Sequence, residues 1–294
     1  MNLTVTFKQA VRTALLKQRD NFAGSDAEFS KTIAINNAVF SRVKNGELDR
    51  MLSDTEWIRL GRELSVKLHE DNWKVARTSV YTEIEDNLNF CKELSRSMVL
   101  VDDCGIGKTF CTKHIIRQMK STFYVDCSQA KSKQLFIRLL AKTIGLDNKG
   151  KYHDVLENLK YYITTMATSK PLIILDEAGD LEYTAFLELK GIWNATDGIC
   201  GWYMMGADGL RDKIDKGIKN KKVGFAEIFS RFSDEFIKLV PQGKTDRTTF
   251  YKQLIGDVAG AQIQDKAVVN TYVNKCINKE TTLRYLETLI KVSA

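Results

Sequence analysis

The last two-thirds of the chain alternates between short apolar runs and longer segments whose apolar residues recur every three or four positions. Runs of four or five apolar residues predict buried strands, and the longer spacing predicts amphipathic helices. The predicted strands are Met98–Val101, Phe123–Asp126, Leu172–Asp176, Trp202–Met205 and Phe236–Val240. The predicted helices are Val80–Leu94, Lys108–Met119, Ser132–Ile144, Tyr152–Met166 and Tyr183–Ala195. This alternation predicts an α/β fold in which a parallel sheet is covered by helices on both faces.

Both ends of the chain show helical spacing without strand-like runs. Near the start, helices are predicted at Asp26–Ala34 and Asn37–Lys44, and another is predicted after the cap residue Ser53. From Thr245 onward the pattern is helical again. These changes predict a helical head at 1–66, a polar linker at 67–79, an α/β core at 80–240 and a helical lid at 241–294.

Composition narrows the classes of protein without choosing among them. The 294 residues are 44% hydrophobic and 28% charged, which suffices for a packed core and excludes wholesale disorder. The sequence shows neither a membrane-spanning run nor a signal-peptide pattern, so we expect a cytoplasmic protein with no membrane partner. Six cysteines without a Cys-x-x-Cys pair are expected to be reduced thiols. The net charge of +7 fits either an anionic partner or a solvated basic surface.

The first predicted strand leads into a pattern typical of a phosphate-binding loop. Residues 102–109 read Asp-Asp-Cys-Gly-Ile-Gly-Lys-Thr, and a predicted helix follows. Gly105 and Gly107 allow consecutive backbone N–H groups to point at one phosphate, and the helix directs its positive end at the same anion. Lys108 is expected to reach the β- and γ-phosphates, and Thr109 to bind Mg²⁺. The expected nucleotide-binding set also includes Cys104, Ile106 and Phe110.

One position departs from the usual pattern Gly-x-x-x-x-Gly-Lys-[Ser/Thr]. The first glycine of that pattern falls at Asp102 here. A carboxylate beside a polyphosphate is unfavourable unless its side chain points away. The sequence therefore leaves the loop geometry at Asp102 open.

A second acidic element follows the third predicted strand. Leu172–Asp176 is apolar until its last residue, and Glu177 comes next. Ligands of open parallel sheets bind at the carboxyl ends of the strands, so both carboxylates are expected beside the phosphate loop. Asp176 would bind Mg²⁺, and Glu177 would act as the general base on the attacking water. Together the two elements predict an ATPase that uses ATP and Mg²⁺.

With these elements the chain resembles the AAA+ ATPases. Phe229-Ser230-Arg231-Phe232 is similar to the arginine-finger element of initiator-type members, and the segment around Arg284 resembles the sensor-two helix. The resemblance implies that Arg231 acts in catalysis from a neighbouring subunit and that Arg284 contacts nucleotide phosphate from the lid. Each arginine also has a plain interpretation, as a surface residue that is solvated or paired with a carboxylate.

The layout is more narrowly similar to transposition regulators of the phage Mu B, TnsC and IstB type, which join a helix-turn-helix head to one AAA+ module. The resemblance implies double-stranded DNA and a transposase as partners, with homo-oligomers that form head-to-tail rings or helical filaments. One family element matches poorly. The polar residue expected after Trp202–Met205 can only be Asp208, and a carboxylate there predicts slow hydrolysis.

The head has a pattern similar to a repressor-type helix-turn-helix. Its apolar positions would pack two helices together, while Asn37, Ser41, Arg42 and Lys44 would face outward toward DNA. The predicted packing residues are Phe29, Ile33, Ile35, Phe40 and Val43. Ser30 and Ala34 replace the alanine and the turn glycine usual in this pattern. A helical module that binds protein, or only caps the core, is the alternative.

Two further groups of basic residues are candidate DNA contacts. By resemblance, Lys131 and Lys133 in the loop after the second strand would track DNA phosphates in the pore of a filament. A second cluster lies between Arg211 and Lys222, interleaved with aspartates. It fits a DNA path, a subunit contact or a solvated surface equally well.

The sequence thus predicts an ATP-dependent, DNA-binding AAA+ regulator of transposition that assembles on target DNA and recruits a transposase. One alternative is a replication initiator or helicase loader, which uses the same motifs. Another is a transcription regulator that reads an operator through the head and is gated by nucleotide.

Overall fold

The chain forms two compact units in a computed structural model that describes residues 3–22, 24–64, 66 and 73–293. The first unit contains the helices of the N-terminal 64 residues, together with residues 144–147. The second contains residues 73–143 and 148–293. Each unit is described separately below.

The described residues of the N-terminal unit form four helices: α1 (Val5–Asp20), α2 (Asp26–Thr32), α3 (Asn37–Lys44) and α4 (Asp54–Glu63). Ser25 and Ser53 begin α2 and α4 with reciprocal capping boxes, in which Glu28 and Glu56 accept from the cap residues. The helices enclose a core of ten buried side chains: Phe7, Val11, Leu15, Phe29, Ile33, Ile35, Phe40, Val43, Trp57 and Leu60. The five predicted packing residues are among them, so that prediction is confirmed.

The turn between α2 and α3 carries local strain. The predicted helix Asp26–Ala34 is two residues too long, because α2 ends at Thr32 and Ala34 adopts a left-handed backbone with φ of 53°. Only glycine adopts this region without a steric penalty. The Ser30 side chain is buried, and its hydroxyl donates to the Ala27 carbonyl at 2.9 Å. Serine is therefore accommodated at its position, whereas alanine at 34 is held in a strained one.

Replacing Ala34 with glycine is expected to stabilise the N-terminal unit by about 1 kcal/mol, because the left-handed strain is removed. The α2 and α3 amides of Ala34→Gly should therefore exchange more slowly than those of the unaltered protein, which hydrogen–deuterium exchange measures. Gly46 is the matched control, since it has φ of 100° and open space where an added methyl group would lie. Gly46→Ala should speed exchange by a similar factor; faster exchange in Ala34→Gly would contradict the strain assignment.

The second unit contains a five-stranded parallel sheet, as predicted, with the order β2-β3-β4-β1-β5. Its strands are β1 (Ser97–Val101), β2 (Thr122–Asp126), β3 (Leu172–Asp176), β4 (Gly201–Gly206) and β5 (Phe236–Ile237). Four strands match the predicted ones to within one residue at each end. The prediction for the fifth is wrong, because β5 stops at Ile237 instead of Val240.

Helices surround this sheet. They are α5 (Ser79–Leu94), α6 (Lys108–Ile115), α7 (Lys133–Ile144), α8 (Tyr152–Thr165), α9 (Tyr183–Ala195), α10 (Asp208–Lys219) and α11 (Phe225–Arg231). The helix predicted at Lys108–Met119 is shorter than expected, because α6 passes into a single 3₁₀ turn at Ile116–Gln118. Side chains on both faces of β3 are fully buried, which agrees with a sheet covered on both sides.

Three helices complete the chain and are called the lid: α12 (Lys244–Gln262), α13 (Lys266–Asn278) and α14 (Leu283–Ser293). They pack around a small core that includes Ile255, Ala259 and Leu286, and Trp73 packs against it. Of the predicted linker at 67–79, residues 67–72 lie outside the described residues, and Ser79 begins α5. Within the described part of the chain, no helix has the length and apolar character needed to span a membrane.

Candidate nucleotide-binding site

The phosphate loop follows the carboxyl end of β1 and begins α6. Gly105 and Gly107 have φ of 77° and 98°, both in the left-handed region, and Gly107 is the residue that caps α6. Both glycines are therefore required by backbone conformation. The loop ends at the N-terminus of α6, where free backbone N–H groups and the helix dipole favour an anion. Ile106 is buried in the core, whereas Cys104 and Phe110 are exposed.

Lys108 lies inside this loop. Its ammonium donates to the carbonyl oxygens of Asp102 and Asp103, at 2.8 and 2.6 Å. Burial lowers the pKa of Lys108 below its ordinary value, and the nearby acidic groups, Cys104 and the carboxylates, partly oppose this shift. The ammonium is thus held over the loop by two carbonyls, where it can also reach an anion.

The Asp102 side chain points away from the loop, which answers the question that the sequence leaves open. Its carboxylate is buried and accepts hydrogen bonds from the backbone N–H groups of Leu239 and Val240, the second at 2.9 Å. These N–H groups belong to the segment predicted as the end of the fifth strand. Because they donate to Asp102, the ladder with β1 ends at Ile237.

The Asp103 side chain also binds residues that lie outside the loop. Its Oδ2 accepts from the hydroxyl of Tyr251 at 2.5 Å and lies 2.5 Å from the guanidinium of Arg247. Arg247 and Tyr251 are one turn apart on α12, so one face of this helix holds the loop carboxylate. Sequence reasoning missed both residues, because they lie more than 140 positions from Asp103 and no motif marks them.

Asp176 lies at the carboxyl end of β3, beside the start of α6. Its Oδ2 accepts from the Thr109 hydroxyl at 2.7 Å and from the Tyr124 hydroxyl at 2.5 Å. The predicted metal-binding pair, Thr109 and Asp176, is therefore in direct contact. Tyr124 was not predicted; its hydroxyl between the apolar Phe123 and Val125 of β2 was the available signal. Burial, reinforced by the Asp176 charge, raises the pKa of Tyr124, so the phenol stays protonated and donates.

Glu177 projects from the end of β3 in a left-handed conformation with φ of 51°. Its backbone N–H donates to the Asp176 carboxylate at 2.9 Å, and the residue is only partly open to solvent. Partial burial and the charge of Asp176 raise the pKa of Glu177, while Lys108 opposes the shift. A raised pKa makes this carboxylate a stronger base. Backbone strain at a non-glycine residue is a frequent feature of functional sites.

The lid contacts the phosphate loop through the start of α14. The backbone N–H of Leu283 donates to the Gly105 carbonyl at 3.2 Å, and a methyl group added at Gly105 would overlap the Thr282 side chain. Arg284 follows directly and is exposed. Arg284, which is predicted to contact phosphate from the lid, is therefore next in sequence to Leu283, whose N–H binds the loop.

Arg231 lies near the amino ends of the strands, at the opposite end of the sheet from the phosphate loop. Its guanidinium donates to the Asn194 side chain at 2.8 Å and lies 5.2 Å from the Trp193 ring centroid. Two residues later, the Ser233 hydroxyl donates to the carbonyl of Ser97, the first residue of β1. The phosphate loop follows the last residue of the same strand, so the structure does not bring Arg231 to its own loop.

Asp208 begins α10, just after β4, and its side chain is 78% exposed. It pairs with Arg211 at 3.3 Å, and Arg211 also donates to the Val101 carbonyl at the end of β1. The Asp208 carboxylate is therefore held toward a cation and solvent. No contact joins it to the described residues of the phosphate loop.

The predicted DNA contacts are exposed, and most of them have partners. Lys131 pairs with Asp180 at 3.2 Å, and the Lys133 ammonium lies 5.4 Å from the Tyr152 ring centroid. In the N-terminal unit all four predicted residues, Asn37, Ser41, Arg42 and Lys44, are exposed on α3. Arg42 pairs with Glu47 and Lys44 with Asp26, at 2.6 and 2.8 Å.

Comparison with known proteins agrees with this arrangement. Residues 91–214, which run from the end of α5 into α10 and include the phosphate loop and Asp176, match the family model for an AAA domain. The match covers less than half of the chain and agrees with the P-loop α/β fold of its core. No curated protein matches the chain.

Among solved structures, the chain is similar to the Aeropyrum pernix ORC2 protein determined as ADPNP–ADP complexes. The TM-score is 0.43 and the identity 13%, over 65% of this chain and 55% of that chain. A likeness this distant, covering about half of the other chain, indicates neither a substrate nor a partner.

Replacing Gly105 with alanine is expected to loosen the lid, because the added methyl group collides with Thr282 in addition to straining the backbone. Hydrogen–deuterium exchange of α14 should be at least tenfold faster than in the unaltered protein. Gly107→Ala is the matched control, since it has similar backbone strain but its nearest atoms lie 3.6 Å away. Equal exchange of α14 in the two variants would show that the Thr282 contact does not hold the lid.

Proposed function

We propose that this chain is an ATP-dependent AAA+ regulator that assembles on double-stranded DNA, of the type that directs transposition. One observation supports the nucleotide site above all others. The carboxyl edge of the sheet brings Lys108, Thr109, Asp176 and Glu177 together, while the unusual Asp102 is turned away from them. Hence the departure from the usual loop pattern is no obstacle to a polyphosphate.

Thr109 and Asp176 are suited to hold Mg²⁺. Their oxygens lie 2.7 Å apart, and Mg²⁺ takes oxygen ligands from one or two protein groups together with phosphates and water. When bound, the ion would neutralise charge on the phosphate oxygens. Tyr124 donates to the same carboxylate oxygen and so fixes the orientation of Asp176.

Each remaining residue has a distinct task. Lys108 binds phosphate oxygens with an ammonium that the loop carbonyls already hold in place. Glu177 accepts the proton of the attacking water, which its raised pKa favours. Arg284 contacts phosphate from the lid. The phosphate-binding backbone is supplied by Cys104, Gly105, Ile106, Gly107 and Phe110.

Two substitutions separate nucleotide binding from hydrolysis. Lys108→Ala should weaken ATP binding by roughly 10- to 150-fold, because a charge-assisted hydrogen bond is lost. Glu177→Gln should retain binding but reduce the rate of phosphate release by about 10²-fold or more, because the amide cannot accept the proton. Equilibrium titration with a fluorescent ATP analogue and a phosphate-release assay measure the two effects.

Lys120→Ala is the control for these variants, since Lys120 is exposed and follows the 3₁₀ turn beyond α6. It should bind and hydrolyse ATP as the unaltered protein does. The proposed roles are wrong if Lys108→Ala binds the analogue normally, or if Glu177→Gln hydrolyses ATP at the original rate.

The position of Arg231 supports a role between subunits. Within one chain it lies at the amino edge of the sheet, opposite the phosphate loop, so it can serve only the site of a second copy. A contact between two different faces repeats from copy to copy and yields a ring or a helical filament. Such an arginine stabilises the charge that develops on the transferred phosphoryl group.

The proposed DNA surface of the core includes Lys131 and Lys133. Both are exposed near the loop that follows β2. Lys213 lies in the same region, where its ammonium donates to the carbonyls of Gly179 and Leu181. The head offers Asn37, Ser41, Arg42 and Lys44 on one helix. Lysines that contact phosphates give affinity without base specificity, which suits a protein that marks target DNA for a transposase.

ATP-dependent assembly on duplex DNA is the expected behaviour, and negative-stain microscopy or sedimentation tests it. Arg231→Ala should bind ATP normally yet hydrolyse it about 10³-fold more slowly, because the finger is missing from the neighbouring site. Lys131→Gln combined with Lys133→Gln should reduce the slope of log affinity against log salt by about 2, because two phosphate contacts are lost.

The exposed lysines of the lid provide the control for the DNA variant. Lys252→Gln combined with Lys266→Gln removes the same charge elsewhere, so its salt slope should match that of the unaltered protein. Assembly that is independent of ATP, or the absence of DNA binding at low salt, would overturn the proposed function.

A further inference from the structure

Two consecutive carboxylates occupy the start of the phosphate loop, and both are held by the chain that leads into the lid or forms it. Asp102 accepts from the backbone of Leu239 and Val240, just before the lid. Asp103 is held by Arg247 and Tyr251 of α12. The two carboxylates of the proposed polyanion-binding loop are therefore bound by groups that lie outside the loop.

The two carboxylates differ in how securely they are held. Asp102 is 7% exposed, and its Oδ2 accepts from two backbone N–H groups, so these hydrogen bonds can break only if the main chain of that segment moves. The Asp103 side chain is 24% exposed, and its cationic partner Arg247 is 47% exposed. The Asp103 carboxylate is held only by side chains of α12. These contacts can therefore break when the lid moves, without a change in the main chain of the loop.

We propose that Arg247 is a positioning residue of the nucleotide site: it neutralises Asp103 so that the phosphate loop accepts a polyphosphate, which links nucleotide binding to docking of the lid. This inference rests on the proposed nucleotide-binding function.

The electrostatics give the direction of the effect. Without Arg247, the Asp103 carboxylate would keep an uncompensated negative charge at the phosphate loop, and this charge would repel a polyphosphate. With Arg247 in place the pair is neutral, and the Tyr251 hydroxyl donates to the same oxygen, Oδ2. Burial and this carboxylate raise the pKa of Tyr251, so the phenol remains a donor. Arg247 therefore acts through Asp103 and needs no contact of its own with nucleotide.

Linkage requires the effect to be reciprocal. If a docked lid favours nucleotide by neutralising Asp103, bound nucleotide must favour the docked lid by the same factor. Contacts of Thr282 and Leu283 with Gly105 place a second part of the lid on the same loop. Nucleotide binding should therefore strengthen the docking of α12 and of α14 on the loop together.

Three variants test the proposal: Arg247→Gln, Asp103→Asn and the two combined. Affinity is measured with a fluorescent, non-hydrolysable ATP analogue and Mg²⁺. Arg247→Gln should weaken binding about tenfold, within the usual range for coupled sites. Asp103→Asn should bind at least as tightly as the unaltered protein, and the double variant should recover to within threefold of it, because no uncompensated charge remains.

Lys252→Gln is the matched control, since it removes one positive charge from the same helix at an exposed position. Its affinity should be unchanged. A second readout is hydrogen exchange of α14, which the analogue should slow in the unaltered protein and slow less in Arg247→Gln. Circular dichroism of each variant confirms that the partly exposed substitutions leave the fold intact.

The outcomes separate this inference from the proposed function. If the unaltered protein does not bind the analogue, the nucleotide site itself is wrong. If it binds, and Lys108→Ala does not, but Arg247→Gln binds normally, only the role of Arg247 is overturned. The role is also overturned if the double variant is as weak as Arg247→Gln, because the contact would then be purely structural.

Discussion

The hydrogen bonds from Leu239 and Val240 to the Asp102 carboxylate are the constraint on which the site depends. A phosphate loop with an aspartate at its first position would otherwise present a negative charge to a polyphosphate. Two backbone donors remove that carboxylate from the loop and bury it. The same donors are lost to the sheet, which is why β5 is only two residues long.

This constraint also connects the loop to the lid. The chain passes from the residues that hold Asp102 to Pro241 and then into α12, whose Arg247 holds Asp103. The start of α14 returns to the loop at Gly105. Two contacts therefore tie the phosphate loop to α12 and α14, and a third ties it to the segment just before them. A movement of the lid is expected to shift the loop, and a movement of the loop to shift the lid.

Local pattern located most of the elements of this fold and the residues that a motif marks. Apolar periodicity located four strands to within a residue, and the juxtaposition of Thr109 with Asp176 followed from the rule for parallel sheets. Tyr124 and Arg247 were missed because their partners lie 52 and 144 positions away, and only tertiary packing brings them together. The early end of β5 had the same origin, since a side chain distant in sequence replaced the strand partner.

The central claim is that an acidic phosphate loop binds nucleotide because its carboxylates are held elsewhere. An experimental structure with Mg²⁺ and a non-hydrolysable ATP analogue tests it most directly. The account predicts phosphates enclosed by residues 104–109, with the Asp102 carboxylate still bound to the N–H groups of Leu239 and Val240. Nucleotide bound elsewhere, or an Asp102 side chain turned into the loop, would contradict it.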